Sequence, residues 1–444
     1  MRVPGPGRTA YRAGMTTTMT AGAADHGGTG IEVRLAGESE GPEWQRALHT
    51  GFLRHGPGAK PSADWWRRHH EPGRFLGAWD GERCVGTFRS IPMELTVPGG
   101  AVLPADGIAD VTVTSTHRRR GLLTRMMRRD LALARERGDV FALLTAAEYG
   151  IYGRFGFGRA TRFGGLTVDV PRSGGLRPGI GEPGPGARTE LIGMAELRRL
   201  APELYDRYRR TRHGAISRPP DHWEEITGEA ALAGGPPVPF FAAAHRDGDG
   251  RVTGLLTYHV EHRTTGGDPD ATLTVLDHVA TGPAAAAALW RYALETDLVR
   301  RIAIGNIAPD DPLPLWLVNP RAAERTERPG DDLWVRVLDG PRAFAARRYD
   351  VPGRTVLDVS DPEGHLTGRW LLETSEDGTG RLSPTTAEPE LRLDAAALGA
   401  VYLGGATVPQ LAAAGLVTEL RPGAAARAGL QLRTATEPWC PDRF

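Results

Sequence analysis

The chain has 444 residues, with 54 basic and 54 acidic side chains, 40% hydrophobic residues and 24% charged ones. At roughly 100–200 residues per domain this is two to four domains, and a formal net charge of zero offers no global attraction to nucleic acid or an anionic membrane. Cys84 and Cys440, its two cysteines, make neither a metal-ligand spacing nor a disulfide framework. They fit a reducing cytoplasm, and no apolar run reaches the ~18 residues of a membrane span.

Residues 1–30 are rich in Gly, Thr and Ala and lack the apolar core of a signal peptide; they read as a disordered leader, with Met15 or Met19 as alternative starts. Residues 31–36 alternate like a short strand, and 42–56 carry Trp44, Ala47, Leu48 and Phe52 at helical spacing. Segments 75–79 and 84–88, joined across Asp80 and Gly81, predict a hairpin with a type I′ turn. Strands at 93–97 and 101–103 flank the Pro98, Gly99, Gly100 turn, and 107–114 is the next strand. A helix runs from Leu122 to about Arg137, with Leu122, Leu123, Met126, Met127, Leu131 and Leu133 as its apolar stripe and Gly138 as its stop. The apolar run 140–146 suits a buried strand. A β–loop–α–β unit therefore occupies 108–146, inside a first domain of residues 31–170.

The Pro- and Gly-dense segment 171–187 predicts a linker. A second α/β domain over 188–328 follows, with strands at 239–244, 251–260 and 271–280, a helix over 283–298 and a strand at 301–306. Its order repeats that of the first unit without the basic loop. Residues 329–444 predict a small α+β domain, with strands at 354–360, 367–373 and 390–393 and helices near 395–400 and 407–414. The chain ends in an aromatic residue, Phe444, behind Pro438 and Pro441. Free tails are mostly small and polar, so this one reads as fixed by packing.

Two segments carry chemistry. In the first, Val111, Thr112 and Val113 lead into Thr116, His117, Arg118, Arg119, Arg120 and Gly121, and a helix begins at Leu122. The first N–H groups of a helix have no intrahelical partners and sum to partial positive charge, which suits a phosphate or diphosphate. Gly121 lets the backbone approach the anion closely. Three arginines at a helix start oppose its dipole, so stability alone does not favour them there. The usual nucleotide P-loop is absent, since no G-x-x-x-x-G-K-[ST] occurs. In the second segment, Ala147 and Glu148 follow the buried strand, and Tyr152 lies beside Gly153. A phenol near ~10 is close enough to a thiol near ~8.5 to give its proton to a departing thiolate. The same tyrosine could equally be a core aromatic with a locally satisfied hydroxyl.

Arg118-x-x-Gly121-x-Leu123 after a strand, then Tyr152-x-x-x-Gly156-Phe157, resembles the cofactor pattern of the GNAT N-acetyltransferases, with Leu123 in place of the small last residue. The fuller string V-T-V-x-x-T-H-R-R-R-G-L-L with G-I-Y-G-R-F-G-F is similar to the actinobacterial Eis (enhanced intracellular survival) family, in which that leucine is usual. The resemblance implies a mixed-sheet α/β fold of tandem GNAT domains, the second degenerate, and a C-terminal sterol-carrier-like α+β domain. It implies acetyl-CoA as co-substrate and a small-molecule primary amine (aminoglycoside, polyamine or lysine-type) as acceptor. Val111, Thr112 and Val113 would hold the pantetheine, and Arg118, Arg119, Arg120, Gly121, Leu122, Leu123 and Thr124 the diphosphate. Ala147 and Glu148 would touch the cofactor further along. Tyr152 would be the general acid, and the carboxylate of Phe444, threaded back into the first domain, the general base. No metal is required. The resemblance also implies a homo-oligomer, with a hexamer as one form.

An α-carboxylate ordinarily titrates near ~3.3–3.7, so burial would have to raise it for efficient base work. Asp110 and Asp442 would favour a cationic acceptor, and Arg443 would oppose it. His69, His70, His213 and His222 have no metal spacing, Trp65, Trp66 and Trp79 either line a cleft or pack, and Asp277 and His278 read as structural. Two rival functions remain at this level: aminoacyl-tRNA-dependent peptidyl transfer, which would not need the diphosphate loop, and a lipid-carrying protein with a vestigial transferase domain.

Overall fold

The computed structural model describes residues 30–56, 60–219, 222–224, 227, 240–325 and 330–444. The expected leader, apart from Gly30, lies outside them. The first sheet is built from β1 (Glu32–Leu35), β2 (Phe75–Asp80), β3 (Arg83–Thr96), β4 (Val102–Val113), β5 (Phe141–Thr145) and β6 (Gly158–Arg159). Helices α1 (Gly41–Gly51) and α2 (Ala63–His69) fall between β1 and β2, and α3 (Leu122–Arg137) crosses from β4 to β5. All its pairings are antiparallel except β4 with β5, the pair that a helical crossover must join.

Local chemistry explains where prediction and structure part. The hairpin closes over Gly81 and Glu82, with Asp80 paired to Arg83, and only Gly81 has positive φ (58°). That is the pattern of a type II′ turn, with glycine at the first central position, and not the expected I′. Strands 84–88 and 93–97 are one continuous 14-residue strand, and 101–103 joins 107–114 in β4. Helix α1 stops at Gly51, before the left-handed Leu53 (φ 56°). Helix α2 was not foreseen, although Ser62 caps it by accepting the Trp65 N–H at 3.1 Å. Its Trp66 packs with Trp44, Phe75 and Trp79, so these rings form core and not a cleft wall.

The second sheet contains β7 (Leu166–Asp169), β8 (Arg188–Ile192), β9 (Phe241–Arg246), β10 (Val252–Glu261), β11 (Ala271–Ala280), β12 (Val299–Ile304) and β13 (Ala323–Arg325). Its order is β13-β7-β12-β11-β10-β9-β8, and β11–β12 is again the one parallel pair. Helix α4 (Met194–Arg209) follows β8, and α5 (Pro283–Leu294) makes the crossover, ending four residues before the expected 298. Two strands sit in a different unit from the one the sequence suggested. β7 pairs in the second sheet, and β14 (Leu333–Val337) completes the first between β5 and β6. The reason is burial: all five residues of β14 are buried, which needs a sheet interior and not the rim of a small domain.

The third unit has five strands, β15 (Gly353–Ser360), β16 (Gly368–Thr374), β17 (Gly380–Pro384), β18 (Leu391–Asp394) and β19 (Val417–Glu419), in the order β17-β16-β15-β18-β19. Its helix α7 (Ala395–Tyr402) lies directly on the first sheet; α6 is Gly340–Ala346. A Cβ on Gly158 would strike the backbone of Ala396 and Ala400, and one on Gly399 the carbonyl of Val335. Glycine is required there by close approach. One core therefore runs from Ile91, Met93 and Leu95 of the first sheet through Leu398, Val401 and Tyr402 to Leu372 and Leu382.

Candidate active site

The parallel pairing of β4 with β5 ends at Ile108 opposite Leu144, while β4 continues to Val113. On its other edge, Thr112 faces Thr87 and Ala109 faces Arg89, so Asp110 and Val111 stand opposite Phe88 alone. This is a β-bulge, and Asp110 takes the left-handed φ of 54° within it. The bulge bends β4 away from β5 and opens a wedge. Among the described residues, no strand lies beside the backbone groups of Val111 and Val113 on the β5 side. They can bind an extended chain carrying amides, as a strand edge does. Thr112 is buried with its hydroxyl 2.7 Å from that of Thr87, and alternation along the strand turns its backbone toward β3, so it supports the wedge without offering a donor to it.

The wedge leads to the basic turn. The Thr114 N–H binds the Val85 carbonyl at 2.8 Å, and the His117 ring lies 2.8 Å from the Thr116 hydroxyl and 3.3 Å from Asp80. Arg119 (φ 63°) and Gly121 (φ 75°) are both left-handed. Helix α3 makes its first turn bond from the Arg125 N–H to the Gly121 carbonyl at 3.0 Å, so the N–H groups of Leu122, Leu123 and Thr124 precede it. Arg118, Arg119 and Arg120 are exposed, and Arg120 reaches the Thr116 carbonyl at 3.3 Å. The turn therefore offers three helix-start amides with three exposed arginines in the loop beside them, a set that fits a diphosphate. Leu122 is buried among core side chains, so its part in such a site is its N–H alone.

Beyond β5, Ala147 and Glu148 are exposed. Tyr152 is buried at the foot of the same wedge, edge-on to Phe157 with ring centroids 6.3 Å apart. Its carbonyl accepts the N–H of Phe155 at 3.0 Å, which fixes the turn that follows. The chain's last residues reach the end of β5 from far away in sequence. Phe444 is buried in the core shared by the first and third units, and its oxygen accepts the Thr145 hydroxyl at 3.4 Å, at the very end of β5. Arg443 donates to the buried Asp332 at 2.9 Å and lies 3.8 Å over the Phe163 ring. Burial pushes the Asp332 carboxyl up to about 6, with Arg443 opposing that rise. Arg443 is thus committed to a carboxylate and a ring, and its charge opposes a cationic acceptor less than the bare sequence suggests.

A polar cluster under the wedge was not foreseen. Asp106 of β4 accepts Arg74 at 3.0 Å and Arg137 at 2.7 Å, and Arg137 also reaches Asp139 at 3.2 Å. Burial, then the neighbouring Asp106, holds the Asp130 carboxyl of α3 well above the usual carboxylate range, and pushes Asp139 up to about 6. The cluster ties the C-terminal half of α3 to β4. Its trace in the sequence is an aspartate in the middle of an apolar helix stripe. His69, His213 and His222 are buried singly, and among the described residues no group of three His, Cys, Asp or Glu could hold a metal. Nor is any helix among them long and apolar enough to cross a membrane.

Comparison with known proteins agrees with this geometry. Family models for an acetyltransferase (GNAT) domain match residues 32–160 and 214–337, and one for a sterol carrier protein domain matches 341–441. An uncharacterized N-acetyltransferase of Streptomyces avermitilis is 48% identical over 415 residues, covering 93% of this chain and 99% of that one. The N-acetyltransferase Eis of Mycobacterium tuberculosis is 38% identical over 344 residues, 76% of this chain and 80% of that one. Among solved structures, Eis1 from Mycobacterium abscessus superposes with a TM-score of 0.78 at 30% identity, covering 93% of this chain and all of that one.

Proposed function

Because the chain belongs to the Eis-like GNAT N-acetyltransferases and takes acetyl-CoA as co-substrate, we propose that it moves the acetyl group directly onto a primary amine, with Tyr152 as general acid and the Phe444 carboxylate as general base. Bound acetyl-CoA supplies the activated acetyl group as a thioester. The free edge at Val111 and Val113 aligns the pantetheine arm. The amides of Leu122, Leu123 and Thr124, with Arg118, Arg119 and Arg120, hold the diphosphate, and Ala147 and Glu148 lie at the exposed end of β5 beside the arm.

The Phe444 carboxylate takes one proton from the acceptor ammonium, and the freed amine attacks the thioester carbonyl. The N–C bond forms and the C–S bond breaks. Tyr152 protonates the departing sulfur and recovers a proton from the nitrogen, which sheds its second one as the amide forms. One proton leaves to water. Holding both reactants in a single wedge supplies the orientation that such a transfer needs.

The observation that carries this reading is the tail: the last residue of the chain is buried with its oxygen at Thr145, at the end of β5. The acceptor class is an aminoglycoside, polyamine or lysine-type amine; pairing with Asp332 reduces the opposition of Arg443 to such a cation, and Asp110 is itself paired with Arg89 at 3.5 Å. Two buried free thiols favour a cytoplasmic location, and a homo-oligomer, with a hexamer as one form, is the expected assembly. Light scattering on the purified protein tests the assembly.

The test of mechanism is a chain lengthened by a few residues beyond Phe444, assayed for thiol release over an amine panel. We expect kcat to fall on the order of 10²-fold while acetyl-CoA binds as before. Equal activity would remove Phe444 from the chemistry. Tyr152→Phe should likewise lower turnover with little change in acetyl-CoA affinity; a tenfold loss of binding would contradict its role as an acid.

A further inference from the structure

The second sheet opens a wedge of its own. β11 pairs with β12 only from Ala271 to Val275, then continues to Ala280. Against β10, Asp277 faces Thr257 and Val275 faces Tyr258, so Leu276 is an extra, bulged residue. This reproduces the bulge and splay of β4, yet the turn into α5 is Thr281, Gly282 and Pro283, with no arginine to hold a diphosphate. The tail occupies this place. Asn306, two residues past β12, donates to the Cys440 carbonyl at 2.9 Å and accepts the Trp439 indole N–H at 2.9 Å.

Arg218 locks the arrangement. Its side chain is 4% exposed. It donates from two nitrogens to Asp277 of β11, at 2.5 and 3.2 Å, and from its third to Asp442 of the tail at 2.8 Å. The guanidinium lies 3.9 Å over the Tyr205 ring, and the Tyr205 hydroxyl is 2.6 Å from the other Asp442 oxygen. Arg218 itself follows a segment bound to the first sheet: the Thr96 N–H binds the Ala215 carbonyl at 2.9 Å, and the Ser217 N–H binds that of Glu94 at 3.0 Å. All three nitrogens of one planar fork are used, on a strand of the second sheet and on the tail, while the backbone just before it is bound to the first sheet.

We propose that Arg218 is a positioning residue for acetyl transfer: by fixing Asp442 to Asp277 in the wedge of the second sheet, it sets the place of the Phe444 carboxylate, two residues on, in the wedge of the first. The degenerate unit thereby serves as a clamp for the base instead of a second cofactor site. This rests on Phe444 as the base. Displacing a reacting group by about 1 Å can cost on the order of 10²-fold in rate.

The test uses the full chain with Arg218→Gln, Arg218→Lys and Asp442→Asn. Expected for Arg218→Gln is a kcat loss of about 10²-fold with acetyl-CoA affinity within twofold of the parent. Formate should restore several-fold of that loss by standing in for the misplaced carboxylate, and Arg218→Lys, which keeps charge but not the fork, should fall between. Should Arg218→Gln fail to fold, Asp442→Asn carries the same readouts. A kcat within twofold of the parent, or a loss that formate does not relieve, would overturn the clamp. The lengthened chain is run alongside. If it stays active, the base assignment itself has failed; if it dies while Arg218→Gln stays active, only the clamp has.

Discussion

Asp139 closes α3 beneath the wedge, and its proton affinity reports how the cluster is built. Burial moves it from the ordinary 3.8 to about 6. A carboxyl raised on folding contributes stability that is complete below its unfolded value and is lost as pH rises through the folded one. At 1.36 kcal/mol per pH unit the displacement is worth about 3 kcal/mol. Urea unfolding of the parent minus that of Asp139→Asn should therefore drop by roughly this amount between pH 4 and 6 and level off above pH 6. Parallel curves would mean that Asp139 ionises as freely folded as unfolded. At this scale the sequence was only partly readable. Tyr152 and the loop residues stood out because they are contiguous with a strand and a helix. Arg218 did not, since its partners Asp277 and Asp442 are 59 and 224 residues away.

Among elements, the strand–turn–helix at β4 and α3 was legible because a glycine and three arginines at a helix start conflict with stability unless an anion is expected there. What it hid was the bulge: Asp110 carries a side chain that gives no sign of a left-handed φ, and only the register with β3 reveals it. Gly121 is open to test. A Cβ there would meet nothing within 4 Å, so space is not the constraint, but φ of 75° is. Gly121→Ala should cost about 1 kcal/mol of stability. It should weaken acetyl-CoA binding more than that, by tilting the amides of Leu122, Leu123 and Thr124. Calorimetric titration showing unchanged affinity would remove those amides from the diphosphate site. The tandem repeat was visible in the order of strands, whereas β7 and β14 were assigned to the wrong neighbours because strand pairing across well over 100 residues leaves no local pattern.

For the molecule as a whole, the third unit is part of the transferase and not an appendage. Its α7 packs glycine to backbone on β6 and β14, and Arg336 of β14 donates from buried positions to Asp361 at 2.8 Å and to the Phe155 carbonyl. A chain ending after Val337 would expose Ile91, Met93, Leu95 and Val335 and strand Arg336 without its carboxylate. Losing the partner of a buried charge costs about 3–5 kcal/mol before the apolar exposure is counted. Such a truncation should be recovered as aggregate and not as a cofactor-binding fragment; a soluble monomer that binds acetyl-CoA would show the units to be separable. The same packing weighs against a lipid carrier, since Leu357, Leu372, Leu382, Leu398 and Tyr402 fill the interior of the third unit.

The placement of β14 has a consequence for how the protein is made. β5 is wholly apolar from Phe141 to Leu144, and its outer edge pairs with residues 333–337. A ribosome adding ~5–20 residues per second needs on the order of ten seconds or more to deliver them. During that interval the nascent first sheet presents a bare hydrophobic edge, the kind that seeks any other strand. Chaperone demand during synthesis should therefore peak after β5 emerges and fall once β14 docks, and separately translated halves should find each other poorly.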